Sequence, residues 1–205
     1  MKVLVVDDHV IVRSGVRNLL AVGVQAQVIE ASNGREALHQ LRAEKPDLVL
    51  LDLNLPGMGG LELLRRLLLE DRSTRIVVLS MHVEPIYVTR AMELGARGYL
   101  SKHASADELL TAVRRVSDGG RYIENAIAQE LALQQVSSGR GLQELTERDI
   151  EIMRLLAQGQ SLAEIADALG VGYKTVANAC SAIKAKLGVA RTSDLVRMAM
   201  TLGVA

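Results

Sequence analysis

Residues 47–64, DLVLLDLNLPGMGGLELL, decide the fold. Leu48–Leu51 is apolar at every position, the pattern of a strand buried on both faces of a parallel sheet. Asp52 follows it. Pro56–Gly57 and Gly59–Gly60 turn the chain, and Gly60–Leu69 then takes up a helical pattern. The same strand-turn-helix unit recurs outward from this stretch. Val3–Val6, Gln27–Ala31, Ile76–Leu79 and Gly98–Leu100 read as strands, while Ile11–Leu20, Arg35–Ala43, Ile86–Leu94 and Ala106–Val116 read as helices. Five strands alternating with five helices predict a doubly wound α/β domain over residues 1–120. Ligands of such sheets bind at the carboxyl ends of the strands, near the point where strand order reverses.

The bulk composition narrows the class without naming a task. The 205 residues are 49% hydrophobic and 23% charged, with 24 basic and 24 acidic side chains in balance. Those values describe an ordinary globular chain, long enough for two domains. Neither a basic nor an acidic tail is present, so charge alone does not point to nucleic acid. A single cysteine, Cys180, excludes an internal disulfide and fits a reducing compartment; the cytoplasm is the expected one. The opening MKVLVVDD meets acids after four apolar positions, too few for a secretory core, and no apolar run approaches a membrane span. With no Phe and no Trp the cores must be aliphatic, and aromatic platforms for single-stranded nucleic acid are lacking.

The expected strand ends carry a related set of polar groups. Asp7 and Asp8 follow the first strand, Asp52 the third and Lys102 the fifth, and Ser80 ends the fourth. In a parallel sheet these ends share one edge. Carboxylates crowded there repel one another unless a hard cation intervenes, and Mg2+ with its oxygen ligands is the natural candidate. A carboxylate beside such a cation can attack a phosphoryl donor, with a hydroxyl and an ammonium stabilising the transferred oxygens. Taken singly, each acid reads as a solvated strand end; five such groups at the expected ends favour the chemical reading.

The stretches VLVVDDH, DLVLLDLNLPGMGGLELL, VVLSMH and GYLSK together resemble response-regulator receiver domains, four motifs in order across residues 1–120. The resemblance implies a flavodoxin-like five-stranded parallel fold with Asp52 as phosphoacceptor and a sensor histidine kinase as donor. It implies that Asp8 and Asp52 bind Mg2+ directly, Asp7 through water and Asn54 through its carbonyl. Ser80 and Lys102 match the family's hydroxyl and lysine, and Tyr99 its switch aromatic, although a plain packing role for Tyr99 is equally open. His103 stands where many receivers carry proline. His82 reads as a surface histidine without a role.

Residues 121–144 change in texture: Ile123–Val136 is helical in pattern, and SSGRG at 137–141 has linker composition. From Leu145 only helices are expected, at Glu147–Ala157, Leu162–Leu169, Lys174–Leu187 and Ser193–Leu202, the first capped by Thr146 with Asp149. The sequence LTERD, SLAEIADALGV, KTV and KLGV in residues 145–205 resembles the LuxR-like helix-turn-helix domain of NarL/FixJ-type regulators. That resemblance makes the segment from Tyr173 to Leu187 a recognition helix in the major groove of double-stranded DNA. Val176, Ala179 or Cys180, Ile183 and Leu187 form its core stripe. Tyr173, Lys174, Thr175, Ala177, Asn178 and Ser181 are the expected groove residues, with Lys184 and Lys186 at phosphates. The domain's seven basic side chains against six acidic ones make binding depend on their placement.

Two apolar surpluses stand out. The last helix carries Leu195, Met198 and Ala199, expected to form a homodimer face in the active state as the family implies. Leu63, Leu64, Leu67, Leu68 and Leu69 exceed what one helical face needs, though core packing explains most of them. The whole reads as a two-component response regulator, phosphorylated on Asp52 and binding DNA, without enzymatic turnover. The alternative is a receiver-based adaptor or phosphorelay protein whose helical domain binds a protein.

Overall fold

A computed structural model of the chain describes residues 1–135 and 145–201. The expected linker at 137–141 and the end of the last helix at Leu202 lie outside the described residues. Within them the chain forms two compact units that part near Glu130.

In the first unit, β1 (Lys2–Val6), β2 (Gln27–Ala31), β3 (Leu48–Leu51), β4 (Arg75–Ser80), β5 (Gly98–Ser101) and β6 (Tyr122–Ile123) build one sheet. Its order is β2-β1-β3-β4-β5-β6 and every pairing is parallel. The helices between are α1 (Val10–Gly23), α2 (Gly34–Glu44), α3 (Gly60–Glu70), α4 (Pro85–Leu94) and α5 (Ala106–Ser117). The doubly wound class is as expected, but the expected five strands become six. Tyr122 and Ile123 pair with Gly98 and Tyr99 at an edge, where the sequence suggested the start of a helix. That helix, α6 (Asn125–Gln135), begins two residues later.

The runs that are apolar throughout are buried throughout, because side chains alternate between two covered faces. Val3, Val5, Leu48, Leu50, Val77, Leu79 and Leu100 meet Val16 and Leu20 of α1 and Leu109, Leu110, Val113 and Val116 of α5. The alternate residues Leu4, Val6, Val49, Leu51, Ile76 and Val78 are equally buried, as are Ala37 and Leu41 of α2 and Leu63, Leu64 and Leu67 of α3. Each large aliphatic side chain so removed from water contributes roughly 1.5–3 kcal/mol before conformational entropy is subtracted. Leu68 and Leu69 do not join this core; Leu68 is half-buried and Leu69 exposed.

The second unit contains α7 (Glu147–Ala157), α8 (Leu162–Ala168), α9 (Tyr173–Leu187) and α10 (Thr192–Thr201). Thr146 with Asp149, and Ser161 with Glu164, form reciprocal capping boxes that satisfy the first free N–H groups of α7 and α8. Gly188 closes α9 in the left-handed region at φ 66°, which favours glycine. Val176, Cys180 and Ile183 of α9 face the core, and of the two candidates Ala179 and Cys180 it is Cys180 that is buried. Burial pushes its thiol above the ordinary range, against a smaller opposing pull from Lys184. It is a packed side chain.

The dimer-face expectation for α10 needs correction at two positions. Leu195 and Ala199 are fully buried in a helix packed on α7 of the same unit. An apolar stripe reports that a face is covered without saying by which chain. Met198 is half-buried and Met200 exposed.

Candidate functional site

The sheet ladder runs one bond past each central strand, and this fixes the site. The N–H of Asp7 donates to the Ala31 carbonyl at 3.1 Å, that of Asp52 to Val6 at 2.9 Å, and that of Lys102 to Ser80 at 2.9 Å. The residues after β1, β3 and β5 therefore leave the sheet from a common edge with anchored backbones. Asp7 and Asp52 are almost fully buried, and Asp8 is half-buried.

The Lys102 ammonium bridges the two buried acids, 2.6 Å from Asp52 Oδ2 and 2.7 Å from Asp7 Oδ2. The other Asp52 oxygen, Oδ1, accepts the Asn54 N–H at 3.0 Å. Burial pushes the Asp52 carboxyl above its usual range, opposed by the Asn54 N–H and Lys102 and assisted by the charge of Asp7. Burial pulls Lys102 down, but hydrogen bonds to Asp52 and Asp7 and their charges outweigh it and leave the ammonium raised. Two buried acids share one base here, so the carboxylates at this edge outnumber the ammonium that pairs them.

Oxygen atoms of Asp7, Asp8 and Asp52, with a ring nitrogen of His9, lie within 4.8 Å of one another. A donor set dominated by carboxylates, short of positive charge, fits a hard divalent cation. His9 is an addition to the residues expected from the sequence, although it directly follows the paired acids. Its N–H donates to Asp7 Oδ1 at 2.8 Å, and its Nδ1 lies 2.7 Å from Asp8 Oδ1. Arg13 is a second addition, with no motif to mark it. Its guanidinium donates to the Asp7 carbonyl and lies 3.3 Å from Glu30, tying α1 to the acidic loop.

Gly60 has a role beyond starting α3. A Cβ there would lie 2.2 Å from Leu53 Cα, and the Gly60 N–H donates to the Leu53 carbonyl at 3.0 Å. Only glycine lets α3 close on the residue that follows Asp52.

Ser80 and Tyr99 converge on one residue. The fully buried Ser80 hydroxyl accepts the His82 N–H at 3.1 Å, and the Tyr99 hydroxyl donates to the His82 carbonyl. The His82 ring stacks on Tyr87 with centroids 4.5 Å apart, so it is engaged in packing. After Lys102, the His103 N–H donates to the Ser101 hydroxyl at 2.8 Å, a bond that proline at this position could not make.

On the helical unit, Tyr173, Lys174, Thr175, Asn178 and Ser181 are exposed along α9, and Ala177 is half-buried beside them. Ser181 donates back to the Ala177 carbonyl at 3.1 Å. Lys184 is half-buried. Lys186 departs from its expected place at DNA phosphates: its ammonium is held by the buried Asp149 carboxylate of the α7 cap. It fastens α9 to α7.

Comparison with known proteins agrees with both halves. The family described as "Response regulator receiver domain" matches residues 3–114, and that described as "Bacterial regulatory proteins, luxR family" matches residues 143–199. The transcriptional activator protein ExaE of Pseudomonas putida is 41% identical, with 100% of this chain and 98% of the relative aligned. The response regulator GacA of Pseudomonas aeruginosa is 38% identical over 100% of this chain and 97% of its own. A crystal structure of a LuxR-family two-component response regulator from Aurantimonas sp. SI85-9A1 superposes with a TM-score of 0.64 at 37% identity, covering 66% of this chain and 98% of that one.

Proposed function

This chain belongs to the two-component response regulators that join a receiver domain to a LuxR-type helical domain, and from that premise we propose that Asp52 is its phosphoacceptor. The observation that carries this reading is the buried Asp7–Lys102–Asp52 bridge at the end of three strands. The donor is a histidine kinase carrying phosphate on an imidazole nitrogen. An Asp52 oxygen attacks the phosphorus, the P–N bond breaks, and the imidazole leaves with its electron pair. A Mg2+ ion held by Asp7, Asp8, Asp52 and the Asn54 carbonyl would supply the positive charge that lets carboxylates and phosphoryl oxygens share this edge.

The chain's own groups then have defined tasks. Lys102 exchanges a carboxylate oxygen for a phosphoryl oxygen, a charge-assisted bond of similar kind. Ser80 turns its hydroxyl from the His82 N–H to the new dianion. That frees the N–H of a residue whose carbonyl Tyr99 still holds, and the region after β4 is the element the charge biases. The output is double-stranded DNA, read by the α9 face of Lys174, Asn178 and Ser181 with Tyr173, Thr175, Ala177 and Lys184. Asn178 suits a bidentate contact to adenine, and the lysines suit phosphates. So few cations give one domain a weak grip, and two chains on a two-fold site would double it. Turnover is confined to the chain's own phosphoryl cycle. Among the described residues no helix is long and apolar enough to cross a membrane. The cytoplasmic location we propose rests instead on the single cysteine, which fits a reducing compartment.

Incubating the full chain with acetyl phosphate and Mg2+, then mapping the phosphate by mass spectrometry, tests the acceptor. Wild type should carry one phosphate on Asp52 and Asp52→Asn none. Label retained on the variant would move the acceptor elsewhere.

A further inference from the structure

The opposite end of the same sheet carries the opposite charge. Arg75 opens β4, Arg97 immediately precedes β5, and Arg121 immediately precedes β6. With Arg72 and Arg65 they surround a cavity of about 580 Å3 at the amino ends of these strands. Arg65 is committed to Glu62 at 3.0 Å. Arg72, Arg75, Arg97 and Arg121 make no side-chain hydrogen bond or ion pair among the described residues. In a chain with 24 acids to 24 bases, four guanidiniums around one hollow, none of them in an ion pair among the described residues, are a concentration that folding does not use. Each repels the others, and an anion removes that cost.

The hollow is not only basic. Half-buried Leu68 and Leu94 supply an apolar wall, the exposed Leu69 stands beside them, and Val116 backs the wall from the core. Leu68 and Leu69 are the leucines of α3 that the core leaves unused. Thr74, 6% exposed in the same wall, has its hydroxyl beside the Asp71 carboxylate. The volume is that of a small-molecule cleft, too small for a protein surface to enter. Guanidiniums fork onto phosphate oxygens in pairs, and their flat faces stack on aromatic rings.

We propose that this cavity is a binding site for a nucleoside polyphosphate, its phosphates on Arg72, Arg75, Arg97 and Arg121 and its base against Leu68, Leu69 and Leu94. The site is separate from the acidic edge and independent of the phosphoacceptor reading. It grips the entrances of β4 and β5, whose far ends carry Ser80 and Lys102.

Calorimetric titration of the full chain with ATP and with GTP tests it. EDTA is included throughout, so that the acidic edge repels the triphosphates. Saturable binding is expected for at least one nucleotide, unchanged in Asp52→Asn and weakened roughly tenfold or more in Arg72→Gln/Arg121→Gln, since each lost bond to a charged group is worth over a kcal/mol. Both arginines are exposed, so the double variant should keep the wild-type circular dichroism and melting point. Hydrogen exchange should slow at residues 72–75, 95–97 and 119–121. Absence of binding at millimolar nucleotide would overturn the proposal, as would equal affinity in the double variant. So would tripolyphosphate binding as tightly as the nucleotides, which would leave the apolar wall without a ligand.

Discussion

The acidic edge of the receiver and the exposed face of α9, proposed above to meet DNA, differ in how they hold their polar groups. At the edge, Asp7, Asp52, Ser80 and Lys102 are all nearly or fully buried, and each already holds a partner. Along α9, Tyr173, Lys174, Thr175, Asn178 and Ser181 stand in water, and the lysine best placed to add charge at the helix end is taken by Asp149. A buried polar group must be satisfied in one arrangement, so its role is legible from geometry. An exposed one is free, and its role is written only in the surface it meets. Substitutions at the edge should therefore change stability and chemistry together, while substitutions at the exposed positions of α9 change affinity alone.

Lys102→Ala should break this contrast hardest. It strands two buried carboxylates, and losing one partner of a buried pair costs about 3–5 kcal/mol. Urea denaturation in EDTA should show that loss, and added Mg2+ should recover part of it. Gly60→Ala comes next. Its methyl has no room beside the Leu53 backbone, and overpacking of this kind costs about 1–3 kcal/mol. The displaced loop should also slow labelling by acetyl phosphate. Lys186→Ala sharpens the comparison within α9, because it should cost about 1 kcal/mol of stability and leave the salt dependence of DNA binding unchanged. Lys174→Ala is its mirror: stability should stay within about 0.5 kcal/mol, while the slope of log affinity against log salt falls by about one.

The same contrast explains what the sequence disclosed. Leu48–Leu51 is apolar at every position, the pattern of a strand covered on both faces, and with turn residues after it the run points to an edge position for the acid that directly follows. Tyr122–Ile123 carries no such signal: a two-residue edge strand has no pattern of its own and exists through its pairing with β5. Gly60 is visible as a turn residue, but its close approach to Leu53 comes from tertiary packing. Lys186 and Asp149 lie 37 residues apart in the chain, beyond any helical periodicity. Leu195 and Ala199 have the pattern of a partner face as much as of a core, because hydrophobicity does not say whose core a side chain enters. The basic hollow is the least legible part, since its arginines are scattered from Arg65 to Arg121 and meet only through the order of the strands.

The proposal that Asp52 is the trigger is tested at its far end by DNA affinity. Fluorescence polarisation would be followed on fragments recovered by pull-down, for wild type and Asp52→Asn, with and without acetyl phosphate and Mg2+. Phosphodonor should tighten wild-type binding roughly tenfold, an ordinary coupling between two sites, and leave the variant where it began. An equal gain in both proteins, or none in wild type once Asp52 is shown to carry phosphate, would contradict it.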